Sequence, residues 1–430
     1  MYVTLRPIFS LLLGLFFLIV GHGLQLTLIP LRAEAEGWGA YEIGAVGSAY
    51  YVGFLAGCIG GPYLILRAGH IRAFMALIGV LAAAMVTHPL WVSFLPWVVL
   101  RFLVGASFAG LYMIIESWLN DRASNTNRGL IMSIYIMVNY AALAIGQFTV
   151  TLYSPMTFSL FAIATAAIAL SVLPMALTRQ TPPAPVAIVR FRPQAIYRAA
   201  PVGLVGVCAS GLANGAYWSL GGVAAVGHGL TTAEAATFLT IATATGAIGQ
   251  WPVGRLSDRM DRRFVLAGLL LGAVVFGLLL AFLPVPGTGW YLLAVFYGFC
   301  VAPIYSIAAA HAYDRVPPGT MVETAAGLFL ASASGSIIGP LIASAVMDHF
   351  GTQTLFLFTA TIYGVMVLYI FYRLRLRPPR MLSGDAKTDF DRGAAVPGGG
   401  AIAPEPLDPS HPDVSVPSPP DTSPGGDAAR

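Results

Sequence analysis

Twelve apolar runs, each about long enough to cross a bilayer, limit this 430-residue chain more than any other feature. They lie near residues 8–30, 42–66, 72–92, 96–118, 129–152, 157–177, 199–225, 234–254, 264–284, 288–311, 323–347 and 354–374. Roughly 20 apolar residues in a helix span the hydrocarbon core. Inside that core the backbone must satisfy its own hydrogen bonds, so such runs become helices. The predicted fold is an all-α membrane protein with twelve transmembrane helices. Composition agrees: only 10% of the residues are charged, against roughly 25% in soluble domains. An ordinary soluble enzyme, a disordered chain and a disulfide scaffold are excluded. The first run is longer than a signal-peptide core and no small-residue cleavage site follows, so it is expected to be a span.

The basic residues set the orientation. With the N-terminus in the cytoplasm, 21 of the 23 Lys and Arg residues fall on cytoplasmic segments; Arg32 falls outside and Arg101 within the fourth run. That asymmetry is what the positive-inside rule describes, and it places both termini in the cytoplasm. Four segments are expected: residues 1–177 as a six-helix bundle, 178–198 as a Pro-rich basic linker, 199–377 as a second six-helix bundle, and 378–430 as a disordered tail. The tail carries nine Pro and eight acidic residues beyond residue 380 and cannot bury a core.

The two bundles read as repeats. A shift of 192 residues places Glu42 on Glu234, Gly57 on Gly249 and Arg67 on Arg259. A shift of 193 places Gly105 on Gly298, Tyr112 on Tyr305, Asp121-Arg122 on Asp314-Arg315, and Ile145-Gly146 on Ile338-Gly339. Parallel repeats of six helices imply a site between two bundles that rock against each other.

Between the eighth and ninth runs stand Gly254, Asp258, Arg259, Asp261, Arg262 and Arg263. Their spacing resembles the major facilitator signature G-x-x-x-D-R-x-G-R-R, with Asp261 in the place of the second Gly. Arg101 to Gly105 is similar to the family's motif in span 4. Ile115 to Asp121, Asn127 to Gly129 and Tyr135 to Gln147 resemble the YcaD-like branch, mostly uncharacterised bacterial transporters. The resemblance covers about residues 8–375. It implies a multi-pass protein of the bacterial inner membrane. In the family the signature acid helps latch the halves on the cytoplasmic side. The first-half copy has Leu66 at that place, so only Asp258 would supply the acid.

Candidate site residues follow from charge and polarity within the apolar runs. Arg101 is costly inside a bilayer and would face an anionic substrate group or an internal acid. His22 and Gln25 share one face of span 1, and His22 is the first candidate for proton coupling. Asn214, Tyr217 and Trp218 stand at the matching level of span 7. Tyr112, Tyr135, Asn139, Tyr297 and Tyr305 complete a cavity rich in aromatic and amide groups, suited to a neutral or singly charged organic molecule. Glu116, near the inner end of span 4, reads as a gate-side acid paired with Arg67 or Arg128, and as the second candidate for coupling. Asp121, Asp258, Arg259, Asp314 and Arg315 read as charges that change partners between access states, with Arg259 reaching an acid such as Asp314. Glu42 and Glu234 read as acids in the first turns of their helices.

No metal, cofactor or nucleic acid is expected. The only lysine is Lys387, so no phosphate-binding loop can form, and Cys58, Cys208 and Cys300 are too far apart for a metal motif. The expected function is not enzymatic. It is secondary transport of a small organic solute by alternating access between spans 1, 4, 5 and 7, 10, 11, coupled to protons, with efflux the preferred direction. The expected partners are the bilayer, the solute and H+. The alternative is a transporter-shaped receptor or scaffold that moves nothing and acts through its tail.

Overall fold

A computed structural model describes residues 8–122, 128–176, 193–284, 287–317 and 320–376. The first half holds α1 (Phe9–Ala35), α2 (Ala40–Ala68), α3 (His70–Leu90), α4 (Phe94–Arg122), α5 (Arg128–Thr149), α6 (Phe158–Leu170) and α7 (Val172–Ala176). A short α8 (Pro193–Ala199) precedes the second half. That half holds α9 (Pro201–Gly227), α10 (Thr232–Arg259), α11 (Arg262–Phe282), α12 (Gly287–Val301), α13 (Ile304–Tyr313), α14 (Met321–Phe350) and α15 (Thr354–Leu376). Span 6 is α6 with α7, and span 10 is α12 with α13, interrupted at Pro303, which has no N–H to continue the ladder. The expected tail and most of the expected linker lie outside the described residues.

Ten helices are long and apolar enough to cross a membrane, and α8 with α9 make an eleventh candidate bent by 118°. The twelfth expected span, 234–254, lies in α10, which is not apolar enough to be counted with them. Its threonines and the Gln250-Trp251-Pro252 stretch lower its mean hydropathy. Thr237, Thr240, Thr243 and Thr245 each donate a hydroxyl hydrogen bond to a carbonyl one turn earlier, so the helix carries polar atoms without leaving them unpaired.

The repeat read from the sequence reappears as packing. In the first half α1 packs on α5, α2 on α4 and α3 on α6; in the second α9 packs on α14, α10 on α12 and α11 on α15. The matched glycines make these contacts possible. A Cβ on Gly105 would collide with the Tyr50 carbonyl, and one on Gly298 with the Ala242 carbonyl. Likewise Gly146 lies against the Val20 carbonyl and Gly339 against that of Leu212. In each pair the partner residues are themselves 192 apart. Small residues bring the backbones together where lipid offers no hydrophobic drive for helix association.

Candidate functional site

The two halves meet along a seam that runs from mid-membrane to the end bearing Ala40, Gly227 and Phe350. At that end Asp348 of α14 accepts hydrogen bonds from the backbone N–H groups of Ala40 (2.9 Å) and Tyr41 (3.0 Å), the first residues of α2. Ser48 of α2 donates to the Ile337 carbonyl of α14 at 2.8 Å. Gly44 lies against Ser344, and Gly47 against Ser219 of α9. Along α10, the Thr243 hydroxyl shares its one proton between the Leu239 carbonyl and Gln147 Oε1 of α5, 2.7 Å away, and Gln250 donates to the Tyr140 hydroxyl at 3.0 Å. Near mid-membrane the rings of Phe54 and Phe329 stand 5.8 Å apart.

Beneath this seam lies a cavity of about 130 Å³. Tyr51, Phe54 and Tyr140 line it from the first half, and Asn214, Tyr217, Trp218, Tyr297 and Tyr305 from the second. Among the described lining residues there is no Asp, Glu, His, Lys or Arg. Asn214 is held by two contacts: its Nδ2 donates to Ser210 (3.0 Å), and the Tyr363 hydroxyl donates to its Oδ1 (3.4 Å). Tyr297 donates to Thr359 at 3.1 Å. The Tyr217 hydroxyl is buried without a hydrogen-bond partner among the described residues.

Of the eleven sequence-predicted binding residues, Asn214, Tyr217, Trp218, Tyr297 and Tyr305 therefore line the cavity, while the other six lie elsewhere. His22, Gln25 and Arg101 form one buried group in the first half. The guanidinium of Arg101 donates to Gln25 Oε1 at 3.3 Å, and Gln25 Nε2 lies 3.2 Å from His22 Nδ1. Arg101 also sits 4.7 Å over the Tyr50 ring, and His22 packs 4.1 Å from the Phe108 ring. Arg101 borders a separate space of about 10 Å³, walled in part by Tyr51 and Trp218. Those two side chains also line the main cavity, so Arg101 stands one side chain away from it.

Tyr112, Tyr135 and Asn139 gather around Glu116 instead. Tyr135 donates its hydroxyl to Glu116 at 2.8 Å, Asn139 donates to the Tyr135 carbonyl at 3.0 Å, and Tyr112 donates to Asn139 at 3.5 Å. The expected ion pair of Glu116 with Arg67 is replaced by this tyrosine contact, because Arg67 is exposed. The side chain of Arg128 lies outside the described residues. Sequence spacing placed Glu116 at the right end of α4 but does not tell which face of α5 meets it.

The charges around the signature also differ from expectation. Arg259, at the end of α10, is exposed and does not carry the contact to Asp314. Arg262 carries it, at 2.7 Å, and also reaches Asp258 (3.3 Å) and Ser257 (3.0 Å). The helix break after Arg259 explains the exchange, since Arg262 starts a new helix turned toward the bundle. Asp261 caps that helix, accepting from the Arg263 N–H at 2.9 Å and pairing with its side chain at 2.8 Å. Burial pushes the Asp261 carboxyl up, but the hydrogen bonds and charge of Arg263, with His311 nearby, outweigh it and hold the group below the usual carboxylate range. Asp121 is exposed and Arg315 half-buried, and both make contacts. Glu42 and Glu234 sit where first-turn acids were expected, accepting from the N–H of Gly39 at 3.0 Å and of Thr231 at 2.8 Å.

The Major Facilitator Superfamily profile matches residues 11–334 and 203–409. The chain belongs to this superfamily. A major facilitator protein from Escherichia fergusonii, the uncharacterised transporter YcaD, is 26% identical over 379 residues, which are 87% of this chain and 98% of that one. Among solved structures, a mutant of the nucleoside transporter NupG matches with a TM-score of 0.73 at 14% identity, over 85% of this chain and 98% of that one. A bacterial homologue of the human lysosomal transporter Spinster, in an inward-facing and occupied conformation, matches with a TM-score of 0.72 at 16% identity, over 87% and 96%. The chain is thus a multi-pass major facilitator transporter and not an enzyme. The seam residues Asp348, Ser48, Thr243 and Gln250 and the clamp residue Arg262 were not among the sequence-predicted site residues. Two of them carried a signal: Gln250 as an amide inside a membrane run, and Arg262 as an arginine of the signature.

Proposed function

We propose that this transporter moves a small organic solute, neutral or singly charged, by rocking its two halves about the central cavity. The observation that carries this reading is the position of the cavity: it lies between the repeats, directly beneath a seam made by residues of both halves. Orientation follows from the basic residues. With both termini in the bacterial cytoplasm, the sealed end is the outer end and this structure is the inward-facing arrangement. Aromatic faces from Tyr51, Phe54 and Tyr297 would grip a flat solute, and Asn214 with the Tyr217 hydroxyl would orient its polar groups.

Coupling is assigned to Glu116 rather than His22. A second positive charge on His22 would stand beside Arg101, whose named partners are the neutral Gln25 and Tyr50. Glu116 is a carboxyl group within a span, linked through Tyr135, Asn139 and Tyr112, and such groups serve as proton relays in transporters. Efflux is the preferred direction, proton entry driving solute exit.

The experiment is transport in vesicles reconstituted with the full chain, after a thermal-shift screen of organic solutes picks the ligand. A pH gradient drives accumulation by the wild type. Glu116→Gln abolishes gradient-driven accumulation while solute exchange persists. Accumulation by that variant at the wild-type rate would overturn the assignment of Glu116. Exchange unaffected by Asn214→Ala and Tyr217→Phe together would overturn the cavity assignment.

A further inference from the structure

A basic corner at the opposite end of the second bundle plays no part in the cavity or the seam. There α8 turns into α9 at 118°, and Pro201 opens α9 with no side chain capping its first N–H groups. Packed at that N-terminus are Arg263 from the start of α11, His311 from α13, Arg315 just beyond it, and Arg373 near the end of α15. With Ala199, Pro201 and Val202 they line a cavity of about 10 Å³, and no carboxylate is among its described lining residues. Two of these groups are buried deeply: Arg263 is 2% exposed and His311 4%. No hydrogen bond engages the His311 ring among the described residues, although Arg315, Arg263, Asp261 and Asp314 surround it. The two nearby carboxylates are already engaged, Asp261 by Arg263 and Asp314 by Arg262. Pro193, Gln194, Tyr197, Arg198 and Leu204, neighbours in sequence of Ala199, Pro201 and Val202, line an open, shallow hollow of about 290 Å³.

We infer that this corner binds the phosphate group of an anionic phospholipid. A space the size of one water admits a single phosphate oxygen, which there meets the His311 imidazole, the outer edges of guanidinium groups that keep their protein partners, and the positive end of a 27-residue helix. The remaining oxygens lie at the mouth, near Arg373, and the glycerol and upper acyl chain lie in the hollow beside Tyr197 and Leu204. Basic pockets between transmembrane helices on the cytoplasmic side are where anionic headgroups bind. By the charge asymmetry of the loops, this corner is on that side. Bound there, the lipid would fasten α8 to the ends of α11, α13 and α15, and so hold the linker to the second bundle.

The test uses the full chain in detergent, with native mass spectrometry to count retained lipid and thermal unfolding to read stabilisation. The probes are phosphatidylglycerol, phosphatidylcholine and inorganic phosphate. The expected result is that phosphatidylglycerol is retained and raises the unfolding temperature, while the other two do neither. Arg373→Gln lowers phosphatidylglycerol affinity about fivefold, from the loss of one basic group at a lipid surface. Arg373→Lys restores most of it, and Arg375→Gln, outside the corner, leaves it unchanged. Equal retention by Arg373→Gln and wild type would overturn the site. Equal effects of phosphatidylcholine and phosphatidylglycerol would overturn the recognition of charge. An equal shift with inorganic phosphate would overturn the lipid as the source, leaving a site for free phosphate. Should Arg373→Gln fail to fold, Arg315→Gln gives the same comparison.

Discussion

Removing the Asp348 carboxylate should shift the protein toward an arrangement open at the end it now seals. Asp348 caps a helix of the other half, accepting from two N–H groups of α2 at 2.9 and 3.0 Å. Replacing a capping oxygen by a methyl group costs about 1 kcal/mol, and the exposure of this pair keeps it from the top of the range. The contact joins the two halves, so its loss is felt only in the state where they touch. About 1 kcal/mol then changes the ratio of sealed to open molecules roughly fivefold. Spin labels at Tyr153 and Gln353, exposed residues near that end in the two halves, report the separation by pulsed electron resonance. Asp348→Ala should enlarge the long-distance population about fivefold relative to the sealed one. Asp348→Asn, which keeps an acceptor but loses the charge, should fall between. Identical distance distributions in wild type and Asp348→Ala would refute the reasoning, since the cap would then carry no differential energy.

Other outcomes follow from the same geometry. Gly146→Val and Gly339→Val should each destabilise the folded protein by roughly 1–3 kcal/mol, read as a lower unfolding temperature, because the added carbon meets backbone rather than a movable side chain. Arg262→Gln should lower stability more than Arg259→Gln in the same assay, because only Arg262 holds the buried Asp314 contact. The Asp261 carboxyl is held below its usual range, so its stabilising contribution is present above the unfolded-state pKa near ~3.9 and is lost as pH falls through the folded value. The stability gap between wild type and Asp261→Asn should therefore stay constant from about pH 5 to 8 and close only below about pH 4.

Hydrophobicity and glycine spacing made the architecture legible. Each apolar run must be helical in lipid, and Gly105 and Gly298 mark equivalent close approaches because lipid leaves packing to small residues. Helix α10 shows the limit of that signal, since its threonines bond to their own backbone and blur the apolar run. The second-half cavity residues were legible as aromatic and amide groups in spans 7 and 10. The first-half set was not, because a polar residue in a span satisfies itself within its own bundle as readily as it faces a cavity. Gln25 turned to His22 and Arg101, and Tyr135 to Glu116. The seam was hidden for a different reason. Asp348, Ser48 and Thr243 act on backbone groups or on single residues of the other half, and nothing in their own neighbourhood encodes that partner.

Access to the central cavity from each face of the membrane tests the account most directly. A single cysteine at Ser332, which lines the cavity, is placed in a chain whose Cys58, Cys208 and Cys300 are replaced by Ala. A charged, membrane-impermeant thiol reagent is then applied to vesicles of either orientation. The account predicts labelling from both faces, faster from the cytoplasmic face in the wild type, with Asp348→Ala raising the outer rate and lowering the inner one. Labelling from one face alone, unchanged by Asp348→Ala, would contradict alternating access through this cavity.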